Sequence, residues 1–164
     1  SVAYEGSARV PFLLSAPPRF GVDPGGVIDA PASHADIMPT LLDMLGLPIP
    51  QTVDGLSLYP LMRGEPAQKW RDALHIEHAP HHQSLTDGRE KYIWWPGTGT
   101  EHLFDLTTDP HELHDLAADA SAANRVAAWR ERLIERLRDR PEGFVRDGQL
   151  VPGRPYGAMI PTEG

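Results

Sequence analysis

Residues 73–106 read ALHIEHAPHHQSLTDGREKYIWWPGTGTEHLFDL, and this stretch decides the fold class. Ala73 to Glu77, Ser84 to Thr86, Glu90 to Trp95 and His102 to Leu106 are short strand candidates separated by turn-forming residues. Asp87-Gly88 between the second and third is a strong hairpin signal, because a tight turn needs residues that tolerate positive φ. These spacings predict an antiparallel sheet of about four strands.

On the C-terminal side, Ala120 to Arg140 predicts a long helix. Val126, Trp129, Leu133, Ile134 and Leu137 recur on one face, with Arg and Glu on the others, so the helix should lie on the sheet through Trp129 and Leu133. Pro141 stops it, and the Gly- and Pro-bearing residues 142–164 are expected to form an irregular tail.

On the N-terminal side, Arg9 to Ser15 (RVPFLLS) reads as a short buried strand closed by Pro17-Pro18. Arg19 to Pro31 is expected to be a surface loop. Ser33 then caps a helix in which Ile37, Leu41, Leu42 and Leu45 form the apolar stripe, with Asp36 in the first turn and Pro39 near enough to the start to be tolerated. Asp54-Gly55 marks a turn, and Leu58 to Met62 one helical turn.

The chain has 164 residues, 40% hydrophobic and 23% charged, which is enough apolar matter for one ordinary domain and argues against disorder. Net charge is −8, and no basic stripe is present to neutralise a phosphate backbone, so nucleic acid is not an expected partner. Without cysteine the chain has no disulfide, thiolate metal site or cysteine nucleophile, and the compartment stays open between bacterial cytoplasm and periplasm. No apolar run approaches the roughly 18–20 residues of a membrane span. The first residue is not Met and ordered sequence starts almost at once, from which we expect a piece of a longer protein.

The densest polar cluster is His75-Ile76-Glu77-His78-Ala79-Pro80-His81-His82. In a strand, His75 and Glu77 share one face, and His78 would start a loop carrying His81 and His82. Metal ligation, substrate contact and a solvated structural loop all stay open for this cluster. Around Tyr4-Glu5-Gly6-Ser7-Ala8-Arg9 the small residues suit a tight turn, with a plain Glu5–Arg9 pair as the bland reading. Asp36 and Asp43 share a helix face. Asp105, Asp109, Glu112 and Asp115 resemble a run of calcium-binding oxygens, against which Pro110 and the missing loop glycine count. Trp94-Trp95 suit packing better than a sugar platform. No phosphate loop, G-x-S-x-G elbow or paired catalytic carboxylates occur.

Tyr4-Glu5-Gly6-Ser7-Ala8-Arg9-Val10-Pro11 resembles a segment of the sulfatase family. The resemblance continues through Asp36-Ile37-Met38-Pro39-Thr40-Leu41-Leu42-Asp43, Asp54-Gly55-Leu56-Ser57-Leu58, Thr86-Asp87-Gly88-Arg89-Glu90-Lys91-Tyr92-Ile93 and Glu101-His102-Leu103-Phe104-Asp105-Leu106, ending with Asp109-Pro110-His111-Glu112. Each piece alone is weak, whereas their order over about residues 4 to 140 is specific. The resemblance implies an α/β fold of the alkaline-phosphatase-like type: the end of a mixed sheet, then a C-terminal α+β subdomain with a roughly four-stranded antiparallel sheet and a long helix.

The domain boundaries expected on that basis are 1–66 for the end of the catalytic domain, 67–141 for the subdomain and 142–164 for the tail. The resemblance also implies a sulfuric ester hydrolase of arylsulfatase type, acting on a small-molecule sulfate ester with a formylglycine and a divalent cation, by family habit calcium. Nothing in this chain matches the motifs that hold them, so catalytic and metal residues are expected outside it. Glu77, His78, His81 and His82 are the candidates for contact with the leaving group, be it aryl, sugar or choline-like. A phosphonate or phosphate ester hydrolase of the same superfamily and a non-catalytic sulfatase-like module are the alternatives, and the oligomeric state is left open.

Overall fold

The computed structural model describes residues 3–22, 24–65, 70–78 and 81–153. In chain order these form helices α1 (Glu5–Ala8), α2 (Ile37–Met44) and α3 (Tyr59–Met62), then strands β1 (Leu74–His78), β2 (His82–Thr86), β3 (Glu90–Trp94) and β4 (Glu101–Asp105). Helix α4 (Ala123–Leu137) and strands β5 (Val145–Arg146) and β6 (Gln149–Leu150) follow. Two compact units result, one joining residues up to Val10 with those from His75 onward, the other running from Pro11 to Leu74.

The first unit is a four-stranded sheet in the order β1-β2-β3-β4. Its β2/β3 and β3/β4 pairings are antiparallel, with Leu85 opposite Tyr92 and Tyr92 opposite Leu103. The Asp87-Gly88 turn forms as its chemistry dictates. Gly88 sits at φ +87°, and the Asp87 carboxylate accepts the amides of Arg89 and Glu90, each at 2.8 Å.

Alternation along β3 divides the sheet into two faces. Glu90, Tyr92 and Trp94 face α4 and the chain after it. Glu90 accepts the Trp129 indole N–H and the Arg125 guanidinium, each at 2.6 Å, and the Trp94 ring meets Phe144 edge-on at 5.9 Å. Lys91 and Ile93 face the other way, where Ile93 packs with Ala3 and Phe104. Helix α4 follows a turn in which the Asp119 carboxylate accepts Ser121 N–H at 2.8 Å, and it buries Val126, Trp129, Leu133 and Leu137 as its periodicity predicts.

Three expectations are corrected. Residues 142–153 are not irregular, because β5 and β6 pair through an Asp147-Gly148 turn with φ values of +51° and +74°, and Phe144 is fully buried. Arg9 to Ser15 is not a strand. Among the described residues no strand lies alongside it to satisfy a ladder, and Leu13 is 92% exposed.

The third correction concerns α2 in the second unit. Only half of its stripe is covered: Ile37 and Leu42 are half-buried, whereas Leu41 is half exposed and Leu45 62% exposed, and Asp36 and Thr40 are fully buried instead. A polar lock replaces an apolar core there. The Ser33 amide donates to Asp36 Oδ2 at 2.7 Å, Leu56 N–H to Oδ1 at 2.8 Å, and Arg71 grips both oxygens at 2.5 and 2.6 Å. Thr40 Oγ1 donates to the Asp36 carbonyl and accepts Leu58 N–H at 2.9 Å. Pro39 fits because the third residue of a helix has no intrahelical partner for its amide.

Candidate functional site

His78 closes β1 and His82 opens β2, so among the described residues of the histidine-rich segment only His81 lies outside a strand, while Ala79 and Pro80 lie outside the described residues. The two-residue period therefore places consecutive residues on opposite faces. Glu77 and His75 look toward α4. Glu77 accepts Arg140 Nη2 at 2.9 Å, and His75 Nε2 bonds Gln83 Oε1 at 2.8 Å. Burial pushes the His75 imidazole below its ordinary pKa, against the Gln83 hydrogen bond.

His78 and His82 look the other way, and His81 joins them. The His78 and His81 rings stack at 5.0 Å and 17°, tied by an His81 N–H donating to the His78 carbonyl at 2.6 Å. His82 lies 6.0 Å from His78 and meets Trp95 edge-on at 5.7 Å. From Trp95 the ring contacts continue to His102 and then to Phe104, which stacks on His102 at 6.1 Å. Of the four candidates, three converge and Glu77 does not. His78 and His81 are exposed and His82 is buried.

His102 at the far end of this row is held by Asp115, Nδ1 to Oδ2 at 2.7 Å. Burial alone would raise the Asp115 pKa, but the Ala117 and Leu103 amides and His102 outweigh it and hold the carboxyl below the usual range. The same face carries a buried ionic joint that the sequence did not reveal. Lys91 Nζ lies 2.9 Å from Glu112 Oε1, whose other oxygen accepts Glu5 N–H at 2.5 Å, with Glu112 at φ +55°. A lysine in an otherwise apolar run, Lys91-Tyr92-Ile93-Trp94, was the available signal.

The other candidates are occupied structurally. Asp36 belongs to the Arg71 lock, and Asp43 accepts Ser57 Oγ at 2.5 Å. Asp105 turns to Thr107 and Asp109 to His114 N–H, so with Glu112 and Asp115 already engaged the acidic run does not converge. Among the described residues no group of three or more His, Asp or Glu side chains is placed to hold a metal ion. No described helix is long and apolar enough to cross a membrane.

A small antiparallel sheet backed by one long helix defines an α+β module, and its motif residues serve as its turns, caps and ionic joints. Comparison with known proteins places it. The family described as N-sulphoglucosamine sulphohydrolase, C-terminal, matches residues 1–139. An arylsulfatase of Clostridium perfringens is 37% identical over 163 residues, covering 96% of this chain and 34% of that protein. The solved structure of a 2-O GAG sulfatase superposes with a TM-score of 0.58 at 28% identity, covering 66% of this chain and 25% of that one. A phosphonate monoester hydrolase from Silicibacter pomeroyi superposes with a TM-score of 0.58 at 29% identity, covering 76% and 28%.

The chain belongs to the sulfatase family, in the part that forms its C-terminal module. It spans about a third of the length of the arylsulfatase it matches.

Proposed function

We propose that this chain is the C-terminal module of a sulfuric ester hydrolase, which splits R–O–SO3⁻ with water into R–OH and hydrogen sulfate. The observation that supports this most is the family match over residues 1–139, together with the 37% identity to an arylsulfatase across nearly the whole chain. Residues 1–66 would end the catalytic domain, 67–141 would be the subdomain and 142–164 its tail.

Formylglycine and a divalent cation, by family habit calcium, would supply the nucleophile and the charge stabilisation. The described residues of this chain do not fit a metal, because the acidic groups are engaged elsewhere. We therefore assign both groups to the rest of the enzyme.

What this chain contributes in that reading is contact with the leaving group. His78 and His81, exposed beside one another, are the residues for it, and buried His82 lies behind them. Glu77, turned toward Arg140, positions β1 instead. The test is sulfate release from an aryl sulfate by the full-length protein, with and without a chelator. Release that stops with chelator and returns with the cation is the expected result; no release in either case would defeat the reading.

The likeness to a phosphonate monoester hydrolase favours a second reading, in which the group cleaved is a phosphonate ester. Relative kcat/KM on sulfate and phosphonate esters of the same phenol separates the two.

A further inference from the structure

The Lys91 joint ties together two stretches of chain that the sulfatase reading assigns to different domains. Glu5 falls in the stretch that would end the catalytic domain, yet residues up to Val10 form one compact unit with the subdomain sheet. Ala3 is buried with Ile93 and Phe104, and the Tyr4 ring meets Phe104 edge-on at 5.8 Å. Apolar contacts of this kind hold a segment against a surface without fixing its position along it, because burial is non-directional.

Charged contacts supply that position. Glu5 is held twice, through Oε1 by Lys91 Nζ at 2.6 Å and through its amide, which donates to Glu112 Oε2 at 2.5 Å. Lys91 Nζ also lies 2.9 Å from Glu112 Oε1, which closes a triangle of three residues. Both the backbone and the side chain of the first residue of α1 are therefore fixed.

The loop after β4 keeps Glu112 at φ +55°, a conformation that persists where its surroundings over-determine it. The Asp109 carbonyl accepts Glu112 N–H at 3.1 Å, the Asp109 carboxylate accepts His114 N–H at 2.8 Å, and the Leu103 carbonyl accepts Leu116 N–H at 2.8 Å. Stability alone does not account for an ionic joint at this place. Apolar side chains of similar volume are often as stabilising in a buried site, whereas a buried ionic group is best suited to fixing register.

We propose that Lys91 and Glu112 are positioning residues for ester cleavage. By locking Glu5 they set where residues 3–8 stand on the subdomain sheet, and with them the geometry of the catalytic domain to which that segment belongs. This rests on the sulfate-ester reading above and goes further by naming what the module does for the reaction. Misplacement by about 1 Å, caused far from the chemistry, can cost about 100-fold in rate. Neither residue touches substrate in this account, so the loss falls on kcat.

The experiment measures kcat and KM for an aryl sulfate, together with urea stability, in the full-length enzyme. In Lys91→Met/Glu5→Gln/Glu112→Gln, kcat should fall about tenfold or more while KM stays within about twofold. Glu112→Asp is shorter by one methylene and places at this φ a residue that tolerates it. It should lower kcat in the same sense, which keeps the test decisive if the triple variant folds poorly.

Phe144→Ala serves as the control, because it removes packing against Trp94 on the opposite sheet face without touching residues 3–8. At a temperature where every variant is folded it should keep the wild-type kcat. Wild-type kcat in either folded joint variant, or an equal loss of kcat in Phe144→Ala, overturns this inference alone. No sulfate release by the wild-type enzyme overturns the sulfatase reading and this inference together.

Discussion

Lys91 and Glu5, 86 positions apart, hold one another at 2.6 Å on the sheet face away from α4, and the lysine side chain is completely buried. With Glu112 they join three remote segments at one point. Removing one member of a buried ionic group leaves the others uncompensated, which costs about 3–5 kcal/mol. Lys91→Ala should therefore lower stability by that order in urea unfolding. Lys91→Met combined with Glu5→Gln and Glu112→Gln should recover part of the loss, and a triple variant as unstable as the single one would contradict this account.

Gly55 is required by space rather than by conformation. A Cβ built there would lie 1.9 Å from the Ala35 carbonyl oxygen and 3.0 Å from Asp36 N, both backbone atoms that no side-chain rotation can relieve. Gly55→Ala should push apart the Asp36 lock and destabilise by about 1–3 kcal/mol. Thermal melts of the two variants check this, because Gly6, with nothing within 4 Å of its added Cβ, should accept alanine with little change.

The Asp36 carboxylate makes stability depend on pH in a definite direction. Burial by itself would raise its pKa, but Arg71 and the Leu56 and Ser33 amides outweigh burial and hold it below the ordinary 3.8. A depressed folded value means that its stabilisation is present above about pH 4 and is lost as pH falls through the folded value. Thermal melts from pH 7 down to pH 2 should show this loss, and Asp36→Asn should flatten that part of the curve while lowering stability at neutral pH. Equal acid sensitivity in the variant would show that other carboxylates carry it.

Phe144 reports on the segment beyond Pro141. Its ring is fully buried against Trp94, so Phe144→Ala should cost about 3–5 kcal/mol. An effect below about 1 kcal/mol would mean that β5 and β6 do not pack on the sheet in solution.

The sheet was legible because its signals are local. Asp87-Gly88 fixes a turn by its own φ preference, and the stripe from Val126 to Leu137 needs only the helical period. The same dipeptide at Asp147-Gly148 gives no comparable signal, because its flanking strands are two residues long and carry no alternation to read. The α2 stripe misled for a different reason: apolar spacing shows that a face exists but not what covers it. The candidate site was half legible. Period two linked His75 with Glu77, yet placing β2 at Ser84 instead of His82 hid the fact that His78 and His82 both end strands, on the face opposite Glu77. The Lys91 joint depends on partners 86 and 21 positions away, beyond the reach of any local pattern.

The most direct test of the central claim is to compare kcat/KM of the full-length protein on a sulfate monoester and a phosphonate monoester of the same phenol. The account predicts a clear preference for sulfate release, abolished by a chelator. Faster cleavage of the phosphonate, or no cleavage of either by a folded full-length protein, would contradict it.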